Sequence, residues 1–533
     1  MKFIGSSLGS NHSLPTQLRG SVFRQSRDTP LCCLPGSILQ AAVDDAISRS
    51  LPVLTLESGA IYEFGSASFT LRNATNFLLD GSGSTLLFSP GFGILVRDSS
   101  DSVMRNLTVT YNPPCFTQGL IIAHDVNSRT VDVKIDTGYP FPDSSLPITA
   151  YFNSSEVKLQ FWDSSTRRRV PGQSGACVVK IIGEVSGQPG VWRVGNACDV
   201  PSNAAGSLLA SISPRIGATF DIPQFYRGQA LWIHNSANIL SEDIILTGSG
   251  NFAVLEWGGH GNHTYRRLQL IRGGTNLLSS NTDGFHSFSV GIGPHLDSCL
   301  ISYMGDDAMN FHNRVAVVLD VIDSGAAVQI VDLSDVPSPD LNEPPASALS
   351  DLVKGDVLSF MTSAQRIPHG NGIVSDVFHV TDPNVLQAAR ALAAALPGVS
   401  VDPNAVTVWQ IPLQGGVGNS GISANDIVQF DRRACAGGLV ENSVFTDAYD
   451  GVWRLQAQNT TARGNTWDRI DYKLQIVYDE AWKEGSTDVA NVLLYNNTFI
   501  NVLVPPATNI DEILLIDSNV RNVTVFNNTV LVS

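Results

Sequence analysis

Asn281-Thr282-Asp283-Gly284-Phe285-His286 and Gly305-Asp306-Asp307-Ala308-Met309-Asn310-Phe311-His312 decide how this chain is read. They hold three carboxylates, two histidines and two short apolar runs. The offset is constant: Asp283 to Asp307 is 24 residues (307 − 283), and so is Phe285 to Met309 (309 − 285). One turn of a parallel β-helix consumes about that many residues, within the roughly 20–50-residue periods of solenoids. Stacked strands lie about 4.8 Å apart. Asp283 and Asp307 should therefore be neighbours on one outer face, with Asp306 beside them. Like charges this close oppose full ionisation and leave a proton donor beside an acceptor. Glycosidic cleavage needs that pair: an acid for the leaving oxygen and a carboxylate for water or sugar. Solvated turn acids or a calcium site are the competing explanations, since Asp is common in turns. Two such motifs one turn apart favour the catalytic one.

Outward from this block, short apolar runs recur between Gly, Asn, Asp and Ser turns. Examples are Phe77-Leu78-Leu79, Ile94-Leu95-Val96, Leu107-Thr108-Val109, Ile244-Ile245-Leu246, Ala253-Val254-Leu255, Cys299-Leu300-Ile301 and Val523-Thr524-Val525-Phe526. Strands this short, without hairpin turns or intervening helices, fit an all-β, right-handed parallel β-helix better than a sandwich. The rhythm breaks twice. Val131-Asp132-Val133-Lys134-Ile135 and Val157-Lys158-Leu159-Gln160-Phe161 alternate, as antiparallel strands wet on one side do. The second break holds strands near 315–322 and 356–360, a Pro-rich loop at 337–345, and a helix from about Pro383 to just before Pro397-Gly398.

The expected organisation is a tail (1–28), a β-helix part (29–124), an inserted β-barrel (125–222), central rungs with the acids (223–313), a second inserted barrel (314–424) and closing rungs (425–533) that resume at Asp426-Ile427-Val428-Gln429-Phe430. The first part should open with a capping helix, from the stripe Ile38, Leu39, Ala42, Val43, Ala46 and Ile47. Arg167-Arg168-Arg169 reads as an exposed charged turn.

Composition bounds the partners. The chain is 43% hydrophobic and 15% charged, with a net charge of −16. Such a composition is globular. The charge disfavours nucleic acid and anionic membranes, and argues mildly against polyanionic polysaccharides. No apolar run reaches the roughly 18 residues of a membrane span. Met1-Lys2-Phe3-Ile4-Gly5 is not followed by the apolar core of a secretory signal. Sequons at Asn11, Asn73, Asn106, Asn153, Asn262, Asn459, Asn496, Asn522 and Asn527 nonetheless point to a secreted or lumenal protein, although asparagines also suit tight solenoid turns. Of seven cysteines, Cys177 and Cys198 could pair, and Cys32, Cys33 and Cys115 could supply another bridge. No Cys-x-x-Cys occurs, so no zinc site is expected.

The paired motifs resemble two families. Asn-Thr-Asp-Gly followed by Gly-Asp-Asp resembles the polygalacturonases, glycoside hydrolase family 28, of pectin-lyase-like fold. Their Gly-His-Gly and Arg-Ile-Lys stretches follow the Asp pair. Here Gly259-His260-Gly261 precedes it, and Arg-Ile-Lys is missing. The second resemblance fits better. Asp306-Asp307-Ala308-Met309-Asn310-Phe311-His312 is similar to the Asp-Asp-Ala-x-Asn-x-His of glycoside hydrolase family 110, the inverting α-1,3-galactosidases, whose β-helix is interrupted by two barrels. That resemblance implies exo-acting release of terminal α-linked galactose from an oligosaccharide or polysaccharide, with inversion and no metal or cofactor. It also implies Asp283 as general acid and Asp306 with Asp307 as the base pair positioning water.

Placement adds candidates for substrate binding. His286 and His312 could bond sugar hydroxyls or tune the base. Asn310 could face outward or join an internal stack. Trp257 and His260, about one turn earlier, could form a stacking platform. Trp453, Arg454, Asp479, Trp482 and Glu484 could complete a pocket. The alternatives are an endo-hydrolase or lyase of a galacturonan-type or other plant or algal polysaccharide, and a non-catalytic carbohydrate-binding β-helix. A lyase wants an Arg or Lys base, and none falls between Asp283 and Asp307. Vertical neighbours at about 4.8 Å suit a retaining pair, and a diagonal Asp283–Asp306 separation of about 7–8 Å suits inversion; the resemblance favours inversion.

Overall fold

Nine parallel strands stack into one sheet: Phe69–Arg72, Ile94–Arg97, Leu231–His234, Val254–Trp257, Phe285–Phe288, Met309–His312, Trp453–Leu455, Leu474–Ile476 and Leu514–Ile516. A larger set of parallel pairings forms the remaining walls of a β-helix. The computed structural model describes residues 33–91, 93–142, 156–171, 177–198, 200–201, 203–214, 228–313, 316–332, 349, 352–362, 368–395, 406–416, 421–430, 435–448, 453–477, 489–503, 507, 509–518 and 520–532. The expected 24-residue offset is the observed register: Phe285 pairs with Met309, and Phe288 with His312.

Both insertions leave this register intact. Leu231 pairs with Ile94 across the first, and Asn310 with Arg454 across the second. The first intervening segment forms a closed barrel of strands Thr117–Asp125, Thr130–Ile135, Glu156–Asp163, Cys177–Glu184, Val191–Gly195 and Leu208–Pro214. The second closes in the same way, through pairing of Ala327–Asp332 with both Ala316–Ile322 and Thr407–Gln414. The helix Pro383–Ala395 packs against it through Ala389 and Ala393.

Two boundaries move. The first barrel begins at Thr117, ahead of 125, and the second ends at Phe430, beyond 424. Ile427–Phe430 is not a resumed rung: it pairs antiparallel with Ala316–Val317 and with Leu358–Met361. A four-residue apolar run reads the same whether its neighbours are parallel or antiparallel, so only pairing separates the cases.

Alternate residues of the nine-stranded sheet face the coil interior. Ile94, Leu231, Val254, Phe285 and Met309 form one inward row. Fully burying side chains of this size contributes about 1.5–3 kcal/mol each. The N-terminal helix, Gly36–Ser48, packs over the first rung with Leu39, Val43 and Ala46 buried. Ile38 of the expected stripe is half exposed, while the Gln40 amide bonds both the N–H and the C=O of Thr70. No described helix is long and apolar enough to cross a membrane.

The described sequon asparagines serve the turns. Asn73, Asn106, Asn262, Asn459, Asn496, Asn522 and Asn527 all take positive φ, between 52° and 58°. The Asn522 amide donates to Asn491 and that of Asn491 to Asn459, at 3.0 and 2.9 Å; Asn262 donates to Asn238 and Asn106 to Asp80. These asparagines thus have a structural use in the turns, as the tight-turn reading of the sequons expects. Asn11 and Asn153 lie outside the described residues. Cys177 and Cys198 form the expected disulfide. The second bridge does not form from Cys33 or Cys115, which are free thiols, one exposed and one buried; Cys32 lies outside the described residues.

The neighbouring inward row is broken by two polar residues, Glu256 and Ser287. Glu256 sits between Ile233 and Ser287 in register, accepting hydrogen bonds from Tyr265 Oη at 2.8 Å and Ser287 Oγ at 2.6 Å. Burial pushes its carboxyl from 4.5 up to about 7, and the two hydrogen bonds offset only part of that. A raised folded-state pKa means stability is greatest below the unfolded value and is lost as pH rises through about 7. At about 1.4 kcal/mol per pH unit, the loss between mild acid and mild alkali is roughly 3 kcal/mol. Glu256→Gln should therefore gain stability over the parent at alkaline pH and little at acid pH, as read from urea midpoints at both.

Candidate active site

The three acids stand on bends, not within strands: Asp283 just before Phe285–Phe288, and Asp306 with Asp307 just before Met309–His312. The bends stack as the strands do. Gly284 N–H donates to the Asp307 carbonyl and Gly305 N–H to the Ser280 carbonyl, both at 2.9 Å. Two glycines allow this approach. A Cβ on Gly305 would lie 2.3 Å from the Asn281 carbonyl oxygen, and one on Gly284 2.5 Å from Ile301 Cγ2. One oxygen from each of Asp283, Asp306 and Asp307 lies within 4.8 Å of the others. Bend residues are free of the pleat that sets side-chain direction in a strand, and these three converge.

Each carboxylate has a different partner. Asp306, the most open of the three at 34% side-chain exposure, faces the Lys158 ammonium at 3.4 Å. Lys158 comes from the first barrel and also donates to the Gly305 carbonyl, which Gln160 Nε2 reaches at 3.1 Å. Asp307 is ion-paired with Arg454 Nε at 3.4 Å. Asp283 is bonded to His286 Nδ1 at 2.7 Å. His286 Nε2 meets His312 Nε2 at 2.8 Å, and His312 Nδ1 donates to the Asn313 carbonyl at 3.1 Å. Three converging carboxylates could also offer oxygens to a divalent cation. Here the chain itself supplies Lys158 and Arg454 against two of them and a histidine against the third, a poor fit for a resident metal.

Lys158 is absent from the sequence-based candidates. It lies far ahead of Asp283 in the chain, in an alternating strand where a lysine reads as the wet face. The barrel is pinned against the coil so that this face is buried. Gln118 Nε2 donates to the Thr275 carbonyl, and Tyr139 Oη to Asn276 Oδ1. Arg169, expected in an exposed turn, is buried and bonds the Ala448 carbonyl and the Asp471 carboxylate. A charged turn and a docking contact have the same composition.

The remaining candidates divide. Both ring nitrogens of His286 and of His312 are engaged by protein atoms rather than turned towards open space. Asn310 faces outward between His286 and Arg454 in register; its Oδ1 is buried and accepts no hydrogen bond among the described residues. Trp257 is 2% exposed, between His234 at 4.5 Å and Phe288 at 5.8 Å, so it is part of a wall and not an open platform. His260 is exposed on the turn before Gly261. Trp453 packs in the coil interior, edge-on to Phe311 at 5.3 Å, and forms no pocket wall. Asp479, Trp482 and Glu484 lie outside the described residues.

The chain is thus a parallel β-helix with two barrels, bearing three converging acids with unlike partners. A curated relative agrees with the resemblance read from the residues. The chain is similar to alpha-1,3-galactosidase A of Shewanella woodyi (strain ATCC 51908 / MS32), 23% identical over 264 residues, 48% of this chain and 42% of that protein. It therefore spans less than half of the curated relative it matches. Among solved structures it is similar to the tailspike protein gp49 of Pseudomonas phage LKA1, with TM-score 0.24 and 11% identity, covering 88% of this chain and 56% of that one. No protein-family model matches the chain.

The glycine requirement is directly testable. Gly305→Ala should cost about 1–3 kcal/mol of stability, the usual range for overpacking, because the clash is with backbone and cannot be relieved by a rotamer change. Chemical unfolding of the variant beside the parent measures it.

Proposed function

We propose that this chain is a glycoside hydrolase that releases terminal α-linked galactose by an exo, inverting mechanism, with Asp283 as acid and the Asp306–Asp307 pair as base. The observation that carries the reading is the unequal partnering of three carboxylates within 4.8 Å. Asp306 and Asp307 face Lys158 and Arg454, whose charges balance an anionic pair. Asp283 shares a bond with an imidazole, which can give or take a proton. The choice of galactose follows the similarity to alpha-1,3-galactosidase A and the family resemblance.

In this reading Asp283 protonates the glycosidic oxygen, and the bond to the anomeric carbon breaks with its electron pair going to that oxygen. The Asp306–Asp307 pair takes a proton from the water that attacks the opposite face. Asn310 Oδ1, lacking a described partner, accepts a sugar hydroxyl. A second reading has its own support. Carboxyl groups stand roughly 5 Å apart in retaining pairs and are separated by roughly 6.5 Å or more in inverting ones. Oxygens within 4.8 Å of one another are nearer the retaining case. There Asp306 or Asp307 attacks the sugar directly.

Asp283→Asn should lower kcat on an α-1,3-linked galactosyl disaccharide by about 10²–10⁴-fold, the range for general acid–base catalysis. It should spare a 2,4-dinitrophenyl α-galactoside, whose leaving group needs no proton. Asp306→Asn and Asp307→Asn should be severe on both substrates and non-additive together. Near-normal turnover by Asp283→Asn on the disaccharide would remove the acid assignment. Proton NMR of the first-formed sugar separates the readings: β-galactose means inversion, α-galactose the retaining alternative.

A further inference from the structure

We infer that Asp283, His286 and His312 form a single proton-sharing unit, in which the two histidines hold and orient the proton that the acid delivers. The inference rests on the assignment of Asp283 as acid, and it follows from counting protons. The unit makes three contacts in series: Asp283 Oδ2 to His286 Nδ1 at 2.7 Å, His286 Nε2 to His312 Nε2 at 2.8 Å, and His312 Nδ1 to the Asn313 carbonyl at 3.1 Å. Every hydrogen bond needs one proton between its heavy atoms. The Asn313 carbonyl can only accept, so His312 Nδ1 carries a hydrogen. The nitrogen–nitrogen contact requires a second, and the carboxyl–imidazole contact a third.

Three protons on two imidazoles and one carboxyl leave the unit with no net charge. The same count describes an aspartic acid beside two neutral histidines, or an aspartate beside one shared imidazolium. Interconversion needs only short shifts along the bonds, without solvent. The unit therefore stores one proton more than a carboxylate with two neutral histidines would. When Asp283 protonates the glycosidic oxygen, the unit is left one proton short, with a charge of −1, and regains it from water.

Packing holds the geometry. Phe252 lies 4.5 Å from the His286 ring, and Phe288 stacks on His312 at 5.4 Å and 8°. Both histidines are buried. Beside the unit, Asp307 faces Arg454 and Asp306 faces Lys158, so each of these carboxylates already meets a cation. His286 and His312 are positioning residues here, since they act through Asp283.

Two measurements test this. In ¹⁵N-histidine-labelled parent protein, NMR should show His312 Nδ1 protonated and one hydrogen coupled to both Nε2 nitrogens. Finding both Nε2 nitrogens without a hydrogen wherever the protein is folded would overturn the count. This readout needs no substrate. The second compares an α-1,3-linked galactosyl disaccharide with 2,4-dinitrophenyl α-galactoside in His312→Gln and in His286→Gln. The disaccharide-to-activated ratio of kcat should fall about 10²-fold, and its basic limb should move to lower pH. That ratio does not depend on the folded fraction of a preparation. Equal loss on both substrates, or no loss on either, would reduce the histidines to a structural role. If the shared hydrogen is seen but Asp283→Asn shows no leaving-group selectivity, the acid assignment fails and the proton count stands.

Discussion

In-register stacking of successive coils is the constraint on which the rest of this structure depends. Parallel strands bond along their whole length, and a slip of one residue would turn every inward side chain outward. With the register held, Phe285 lies under Met309 and His286 under Asn310, and Arg454 follows although a whole barrel intervenes in the chain. The acids converge because their bends stack by the same bonds, and the glycines at 284 and 305 let the backbones approach. Both barrels leave and rejoin the coil without altering this ladder.

The first barrel is more than a decoration. It brings Lys158 and Gln160 onto the Gly305 carbonyl, next to Asp306. Crowding three carboxylates together, two of them buried, is costly unless each is paired or hydrogen-bonded. The chain meets that cost from three sources: the barrel for Asp306, the next coil for Asp307, and the local histidines for Asp283. Unlike partners place chemically similar groups in unlike surroundings.

The outer face near the acids carries buried apolar side chains. Trp232, Leu255, Trp257 and Phe288 are buried there as a cluster of their own. The coil interior holds the reverse exception, a buried Glu256 satisfied by Tyr265 and Ser287. The result is a band in which polar and apolar positions are exchanged across one sheet. Low local polarity strengthens the hydrogen bonds of the histidine unit.

The sequence by itself determined whatever depends on short-range periodicity. The 24-residue offset, the recurring apolar triplets and the glycine-flanked acids were enough to specify a β-helix, two insertions and the convergence of Asp283, Asp306 and Asp307. The helix at Pro383–Ala395 and the Cys177–Cys198 bridge were legible for the same reason, since each is set by local spacing. Tertiary structure alone decided whatever depends on which distant surface meets which. Ile427–Phe430 belongs to a barrel because of its antiparallel neighbours. Arg169 is a docking contact because Asp471 lies opposite. Lys158 reaches Asp306, and the histidines spend their nitrogens on each other, because docking and diagonal packing bring them there. Periodicity is written along the chain, whereas contact between remote segments is set by the global balance of buried surface and paired charge, which no local pattern records.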